Sequence, residues 1–245
     1  MENSFVQIAN RINGNTNMII HAMISSDLER WLSTGHFQNV RTVFVWGKHG
    51  KEAIEFRQKQ LGGRCPEIRV EPALFGSPSA ARIDKAGAKK VLFAADGYSS
   101  KYIDRITRLV PEKVNLTVRV HPGDKRLLSR LRSRKPNVTF DNLEGPIENH
   151  FSDTQVFIGY YSTAIIDAIH HGIPTVILNL KDLVRKHPSV FLEAPLAEKE
   201  RSVMFAGTLK DLVVKIQRIV SDDGFRKRVL SVNRKLMSCF VAPER

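Results

Sequence analysis

The sequence predicts an α/β fold with a parallel sheet. From residue 88 onward, short runs rich in Val, Ile and Phe alternate with stretches that carry apolar residues at helical spacing. The predicted strands of this part are Lys89–Ala95, Val114–Val120, Val138–Phe140, Gln155–Tyr160 and Pro174–Leu178. Strands that alternate with helices are typical of βαβ units with right-handed crossovers. The pattern therefore indicates a doubly wound, Rossmann-like sheet.

Helices are predicted between and after these strands. They cover Ser100–Leu109, Lys125–Arg134, Pro146–Phe151, Ala164–His171, Leu209–Val220 and Phe225–Phe240. In open parallel sheets, ligands bind beyond the carboxyl ends of the strands, so the loops that follow the strands are the places to search for a site.

The first part of the chain is less regular. An amphipathic helix over Asn17–Leu32, a strand over Arg41–Trp46, a helix over Lys51–Leu61 and a strand over Glu67–Val70 are predicted. The turn-rich segment Glu71–Gly87 is interpreted as a linker. We expect a small, reduced or partial α/β domain over residues 1–80 and a larger ligand-binding domain over residues 81–245.

The charge balance favours anionic partners. The 245 residues hold 38 Lys and Arg against 25 Asp and Glu, a net charge of +13. Nucleic acid, an anionic membrane surface and phosphorylated ligands all suit such a field, but few aromatic residues and no nucleic-acid-binding motif make nucleic acid the weakest of the three. The absence of a signal-like start or membrane-length apolar run, with two distant cysteines, predicts a cytoplasmic protein. Peripheral association with the inner face of the plasma membrane is the second option.

Two hydroxyl residues follow the strand at residues 155–160. Ser162 and Thr163 stand where a helix begins, and Asp167 lies one turn further on. Free backbone N–H groups and hydroxyls at a helix start suit a phosphate, and Asp167 is placed to reach a ribose hydroxyl. The alternative is that Ser162 only caps the helix and Asp167 is solvated.

A His-Pro pair follows the strand at residues 114–120. Pro122 fixes the turn and holds His121 at the carboxyl end of the strand. His121 is a candidate to donate to a phosphate oxygen or to act as a general acid toward a departing nucleotide. The alternative is a histidine that hydrogen-bonds a carbonyl and shapes the turn.

An Asp-Gly pair follows the strand at residues 89–95. Asp96 is a candidate general base for an acceptor hydroxyl, and Gly97 allows a sharp turn. The alternative is a helix-capping aspartate. Gly145 and Pro146 open another helix and are candidates to contact a nucleotide base.

The sequence favours neither a metal nor a bound cofactor. His170 and His171 are adjacent but lack a third ligand at metal-binding spacing. Walker A, GxGxxG, GxSxG and HExxH patterns are absent from the sequence.

In this order, the residues resemble motifs of the GT-B glycosyltransferase superfamily. Bacterial sialyltransferases carry an acidic-acidic-Gly motif, a His-Pro motif and a Ser-Ser/Thr motif, to which Ala95-Asp96-Gly97, His121-Pro122 and Ser162-Thr163 are similar. The resemblance implies a base in the first motif, a histidine that assists the leaving nucleotide, and a hydroxyl pair that binds the donor phosphate. It also implies a GT-B type C-terminal domain and a CMP-linked sugar donor.

The CDP-glycerol glycerophosphotransferases are similar in the same half of the chain. Tyr161–Asp167 resembles their Tyr-Ser-Ser-x-x-x-Asp stretch, Gly172–Pro174 resembles their Gly-x-Pro exit, and Phe75–Pro78 resembles their linker. This resemblance implies a CDP-linked polyol phosphate as the alternative donor.

One departure bears on activity. Ala95 stands at the first position of the acidic motif, so Asp96 must replace a base that the family places there, or the protein is inactive.

The leading hypothesis is metal-independent transfer of a sugar from a cytidine nucleotide to an anionic surface polysaccharide or glycolipid. The rivals are the polyol phosphate transferase, a catalytically inactive nucleotide-binding remnant, and a basic nucleic-acid-binding protein.

Overall fold

The computed structural model describes residues 17–19, 40–45, 48–61, 66–70, 90–131, 135–141, 144–186 and 189–240. Contacts divide the chain into two compact units. The first comprises residues 1–77 with 238–245, and the second comprises residues 78–237. The predicted linker Glu71–Gly87 lies outside the described residues.

The described part of the first unit is a small parallel sheet. Its strands are β1 (Asn17–Ile19), β2 (Thr42–Val45) and β3 (Glu67–Val70), in the order β1-β2-β3. Helix α1 (Lys48–Leu61) connects β2 to β3 and contributes the fully buried Ile54. This arrangement is the βαβ unit that the alternating pattern indicates.

The helix predicted over Asn17–Leu32 is wrong at its start. Asn17–Ile19 pairs in parallel with Thr42–Phe44, because a short apolar run such as Met18-Ile19 suits an internal strand as well as a helix face. Residues 20–32 lie outside the described residues.

The second unit is built on a parallel sheet of six strands among the described residues. They are β4 (Lys90–Ala95), β5 (Asn115–Val120), β6 (Val138–Phe140), β7 (Thr154–Gly159), β8 (Thr175–Leu178) and β9 (Phe205–Ala206). Their spatial order is β6-β5-β4-β7-β8-β9, and every pairing is parallel. The prediction of a doubly wound parallel α/β sheet is confirmed.

Helices and 3-10 segments connect these strands. The helices are α2 (Ile103–Leu109), α3 (Lys125–Leu128), α4 (Ala164–His170), α5 (Lys181–Val184), α6 (Glu198–Met204), α7 (Leu209–Ser221) and α8 (Asp223–Phe240). The 3-10 segments are Ser100–Tyr102, Pro122–Asp124, Ile147–Asp153 and Val190–Glu193.

Both faces of the sheet are covered, which explains the nearly continuous apolar strands. On one face, Val91 and Phe93 of β4 belong to a buried cluster that includes residues of α2 and α7. On the other face, α4 lies so close to β7 that a Cβ at Gly159 would come within 2.6 Å of the Ile165 side chain. Glycine at position 159 therefore permits the close approach of α4 to the sheet.

The basic helix predicted over Lys125–Arg134 is shorter than expected. It ends at Leu128, and a turn follows in which the Arg130 N–H donates to the Leu127 carbonyl at 2.9 Å. Cations spaced three or four residues apart, such as Arg126 and Arg130, repel one another on a helix and disfavour its continuation. Residues 132–134 lie outside the described residues.

The segment between β8 and α7 was assigned no structure from the sequence. It forms α5, a 3-10 segment, α6 and the two-residue strand β9. Phe205 and Ala206 pair with Ile177 and Leu178 of β8, a contact too short to leave a periodic pattern in the sequence.

Candidate functional site

The strand order places a crevice between two loops at the carboxyl edge of the sheet. β5 and β6 lie on one side of β4, whereas β7, β8 and β9 lie on the other. The connections after β4 and β7 therefore run to opposite sides, which opens a gap above the two neighbouring strands.

A cavity of about 220 Å³ lies at this edge. It brings together four of the predicted site residues, Asp96, His121, Pro122 and Ser162, from the loops after β4, β5 and β7. The full lining is Ala94, Ala95, Asp96, Arg119, Val120, His121, Pro122, Ile147, Ser162 and Ala164. An imidazole and a hydroxyl from separate strand exits thus face the same space.

Asp96 ties the two sides of the crevice together. One carboxylate oxygen accepts from the backbone N–H groups of Tyr98 at 3.0 Å and Ser99 at 2.8 Å, and the other accepts from the Tyr161 N–H at 2.7 Å. The residue is 7% exposed. Both oxygens are therefore occupied in ordering the loops after β4 and β7, which is the capping geometry. The general-base role of Asp96 stays a prediction.

Gly97 lies at the exposed turn between β4 and the next 3-10 segment. A Cβ at this position would lie 3.5 Å from the Asp124 carboxylate, which is ordinary contact. Gly97 is not among the residues that line the cavity.

His121 is exposed at the carboxyl end of β5, and its backbone N–H donates to the Ala95 carbonyl at 2.8 Å. Its Nδ1 accepts from the Gly123 N–H at 3.0 Å. An Nδ1 that accepts carries no proton, so this contact selects the neutral tautomer with the proton on Nε2. The ring therefore presents an Nε2–H donor, and Pro122 lines the cavity beside it.

Ser162, and not Thr163, caps the start of α4 with its side chain. The Ser162 hydroxyl oxygen accepts from the Ala164 N–H at 3.2 Å, which leaves its own proton available to a ligand. Thr163 stands at the N-cap position, but its side chain makes no capping hydrogen bond. Helix α4 has only seven residues, so its dipole is that of a short helix.

Asp167 lies one turn along α4, half-buried and outside the cavity lining. Burial, with a smaller contribution from the Glu148 carboxylate, raises the pKa of Asp167 to about 6, and His171 opposes this rise. Its carboxyl group is thus close to half-protonated near pH 6.

Gly145 and Pro146 lead into the 3-10 segment Ile147–Asp153. Neither of the two residues lines the cavity, whereas Ile147 does. Gly145 has a φ of +73°, a conformation that favours glycine. Its carbonyl accepts from the Arg119 guanidinium at 2.6 Å. Both Gly145 and Pro146 are exposed, as contact with a planar base requires.

Arg119 is a buried cation near the carboxyl end of β5, between Val118 and Val120. It is 8% exposed and pairs with Asp141 at 2.6 Å. Asp141 also contacts the His150 ring at 3.2 Å. Arg119 itself lines the cavity and thus connects it to Asp141 and to the Gly145 carbonyl.

Tyrosines cluster on the segments that follow β4 and β7, a feature that the sequence analysis missed. All four tyrosines of the chain, Tyr98, Tyr102, Tyr160 and Tyr161, follow β4 or β7. The rings of Tyr98 and Tyr161 meet edge to face at 5.4 Å, and Tyr160 is fully buried. Burial, with the nearby Asp96 carboxylate, raises the pKa of Tyr160 above its ordinary value. The tandem Tyr160-Tyr161 at a strand exit was the available signal.

Two absences concern the described part of the chain. No group of three or more His, Cys, Asp or Glu side chains there is arranged to hold a metal ion. None of its helices is both long and apolar enough to cross a membrane.

Comparison with solved structures gives the fold a name. The pneumococcal O-GlcNAc transferase GtfA, solved with UDP and GlcNAc, matches with a TM-score of 0.59 at 12% identity, over 96% of this chain and 51% of that one. The wall teichoic acid polymerase TagF matches with a TM-score of 0.55 at 10% identity, over 91% of this chain and 59% of that one. The chain is similar in fold to these structures, which are GT-B glycosyltransferases.

A third structure agrees with this assignment. The trehalose 6-phosphate synthase of Burkholderia multivorans matches with a TM-score of 0.51 at 12% identity, over 96% of this chain and 67% of that one. This chain spans about half the length of GtfA. No protein-family model matches the sequence, and no curated protein does. At identities of 10–12%, the similarity to these structures shows a shared fold and nothing further.

Proposed function

We propose that the cavity at the carboxyl edge of the second sheet binds the phosphate of a cytidine-nucleotide donor, and that the protein transfers the donor's sugar to an anionic acceptor. The observation that carries the proposal is that His121, whose Nδ1 accepts from the Gly123 N–H, and Ser162 line one cavity at the crevice of a GT-B fold. Nucleotides bind at this crevice in doubly wound sheets.

His121 stabilises the leaving phosphate as a neutral hydrogen-bond donor. A proton on Nδ1 would point at the Gly123 N–H, so formation of an imidazolium requires that this 3.0 Å hydrogen bond break. Donation from Nε2–H to a phosphate oxygen keeps the loop intact. As the bond between sugar and phosphate breaks, negative charge grows on the phosphate oxygens, and donors fixed beforehand lower the barrier.

Ser162 supplies the second donor and Asp167 the ribose contact. With its oxygen occupied by the Ala164 N–H, the Ser162 hydroxyl has a preferred direction for its proton. Asp167 accepts from a ribose hydroxyl in its ionised form, and Pro122 completes the cavity wall. The parts of the donor that extend beyond the cavity contact residues outside its lining, which are Gly97, Gly145, Pro146 and Thr163.

A nucleotide-binding protein without transfer activity is the second candidate. Ala95, a residue of the cavity lining, stands at the position where the family resemblance implies an acidic residue. Asp96 beside it already accepts three backbone N–H groups. Under this alternative the nucleotide binds, but no carboxylate accepts the proton of the acceptor hydroxyl.

The donor class follows from two supports. The motifs resemble those of CMP-sialic-acid sialyltransferases, and a TagF variant soaked with CDPG has a TM-score of 0.54 against this chain at 10% identity. CMP-linked sugar is the first choice and CDP-glycerol the alternative. The net charge of +13 favours an anionic polysaccharide or glycolipid as acceptor, at an anionic membrane surface.

Calorimetry with CMP, CDP and UDP tests the donor site. We expect the cytidine nucleotides to bind with a Kd below about 1 mM, equivalent to about −4 kcal/mol. Ser162→Ala should weaken this binding about tenfold, whereas the exposed Ser202→Ala on α6 serves as the matched control and should leave it unchanged. Absence of binding at millimolar nucleotide would overturn the donor site.

Transfer assays with CMP-sialic acid and CDP-glycerol then separate the two candidates. Transfer of sialic acid from CMP-sialic acid and transfer of glycerol phosphate from CDP-glycerol both release CMP, and CMP release that depends on His121 supports the transferase. Nucleotide binding without any turnover of either donor supports the inactive module.

A further inference from the structure

A second, larger cavity lies on the second unit, away from His121 and Ser162. It measures about 580 Å³ and shares no lining residue with the smaller cavity. Its walls come from α2, from the loops after β8 and β9, and from the start of α7. The lining is Tyr102, Arg105, Arg108, Leu109, Leu180, Lys181, Asp182, Gly207, Thr208, Leu209 and Lys210.

Four cations on this lining have no ion-pair partner among the described residues. Arg105, Arg108, Lys181 and Lys210 are all exposed, and the structure pairs none of them with a carboxylate. They come from three separate elements, so the cluster is not the repeated face of one basic helix. Cations gathered in a concavity without acidic partners repel one another and attract a multiply charged anion.

The acidic groups nearby are already occupied. Asp182 lies on the lining, but its carboxylate accepts from the Lys101 ammonium at 3.1 Å. The Tyr102 hydroxyl and Lys101 hold the pKa of Asp182 below its usual range. Asp211, just outside the lining, accepts from the Gly207 N–H at 3.1 Å and pairs with Lys215. Neither carboxylate neutralises the four cations.

Local packing holds part of this cluster in place. The Arg105 guanidinium lies 5.7 Å from the centre of the Tyr102 ring, and Tyr102 is 4% exposed. Helix α7 has 13 residues and begins at the cavity, so the positive end of its dipole adds to the same field. Leu109 and Leu209 provide an apolar part of the wall, which leaves room for the uncharged portion of a ligand.

We propose that this cavity is a second anion site that binds a ligand bearing at least two phosphate charges. The site is independent of the nucleotide site, since the two cavities use different residues. Soluble phosphate esters and lipid phosphate headgroups share the required chemistry, and the experiment distinguishes these sources.

The test compares two double variants that lose the same charge. Arg105→Ala/Lys210→Ala removes two cations of the cavity, whereas Lys113→Ala/Lys227→Ala removes two exposed cations elsewhere on the second unit. Binding of tripolyphosphate is measured by calorimetry at several salt concentrations. In parallel, co-sedimentation is measured with vesicles of 30% phosphatidylglycerol in phosphatidylcholine and with pure phosphatidylcholine.

We expect the cavity double variant to lose at least tenfold in affinity for tripolyphosphate and the control less than twofold. If the cavity variant alone loses co-sedimentation with the phosphatidylglycerol vesicles and keeps its affinity for tripolyphosphate, this also supports the site and identifies a lipid headgroup as its ligand. Equal losses in both double variants, or no loss in either arm, would overturn the proposal. Binding of CDP is expected to stay unchanged in the cavity variant, so failure here is distinguishable from failure of the nucleotide site.

Discussion

At the scale of single residues, the hydrogen bond between Gly123 and His121 determines what the histidine contributes. Because Nδ1 accepts, Nε2–H is the donor that faces a ligand. His121→Ala removes that donor and should reduce nucleotide affinity or turnover by about 10- to 100-fold, the range of one charge-assisted hydrogen bond. His121→Gln retains an amide N–H at a similar reach and should restore part of the loss.

Steady-state kinetics and calorimetry on the two variants check this prediction. If the imidazole acts as a general acid, His121→Gln should be as impaired as His121→Ala, because an amide does not donate a proton to a leaving group. Equal impairment of both variants would therefore contradict the neutral-donor role.

Asp167 makes a pH-dependent contribution to stability. Its pKa in the folded protein is about 6, against an ordinary value of 3.8. At a pH between these two values, the carboxyl group is mostly protonated in the folded state and mostly ionised in the unfolded state. Stability consequently falls as pH rises from about 4 to 6. Two pKa units correspond to about 3 kcal/mol, which is the upper range of the effect.

Asp167→Asn removes this ionisation. We expect the variant to be more stable than the parent at pH 7.5 by about 2 kcal/mol, and little changed at pH 4. Thermal unfolding at both pH values measures the difference. A stabilisation of the same size at both would show that burial of the charge is not the cause.

Part of the site was predictable from the sequence, and part was not. His121 and Ser162 were predicted because each comes shortly after a predicted strand. The Asp96–Tyr161 contact joins residues 65 positions apart, and no local pattern reports such a separation. Likewise, Arg119 alternates between apolar neighbours, and its burial depends on Asp141 arriving from another strand.

At the scale of elements, Asp96 connects the loops after β4 and β7. Asp96→Asn replaces one of the two accepting carboxylate oxygens by an NH2 group, which only donates. At least one of the backbone N–H groups that Asp96 accepts from then loses its acceptor and stays buried without a partner. We expect a loss of about 2–4 kcal/mol in the free energy of unfolding. Asp104→Asn, an exposed change in the first turn of α2, should cost less than about 1 kcal/mol.

Denaturant unfolding of both variants, together with transfer assays, also tests the base. If Asp96 serves only as a base, Asp96→Asn should lose turnover at undiminished stability. A stability loss confined to Asp96→Asn indicates the positioning role.

Asn233 connects α8 to the amino end of β8. Its amide oxygen accepts from the Thr175 N–H at 2.8 Å, and its amide nitrogen donates to the Thr175 carbonyl at 3.1 Å, at a position only 1% exposed. Asn233→Ala leaves two buried backbone groups without partners and should cost about 2–5 kcal/mol. Arg234→Ala, the exposed neighbour on the same helix, should change stability by less than about 0.5 kcal/mol. Urea unfolding distinguishes these values, and an equal effect of both changes would contradict the assigned role of Asn233.

Element type was predictable where a pattern was long and buried. β5 was predicted within one residue, as was α7, because each carries an uninterrupted apolar signal. The short strand β1 was predicted as a helix, and β9 was missed, since two or three residues are compatible with either periodicity. The contacts that decide these cases come from neighbouring strands.

At the scale of the whole molecule, the order of the strands creates the candidate site. The chain builds β4 first, adds β5 and β6 on one side, and then adds β7, β8 and β9 on the other. The reversal places the loop with Asp96 next to the loop with Ser162, and the neighbouring β5 brings His121 to the same edge. Alternation of strands and helices predicted this reversal only as a fold class, whereas the contact between the Tyr98 and Tyr161 rings depends on how the loops pack.

A crystal structure of the protein with CDP tests the central claim most directly. We predict a phosphate oxygen within about 3.2 Å of both His121 Nε2 and the Ser162 hydroxyl oxygen, the range of a hydrogen bond. A CDP phosphate bound away from this pair, including one seated between Arg105 and Lys210, would contradict the assignment of the donor site.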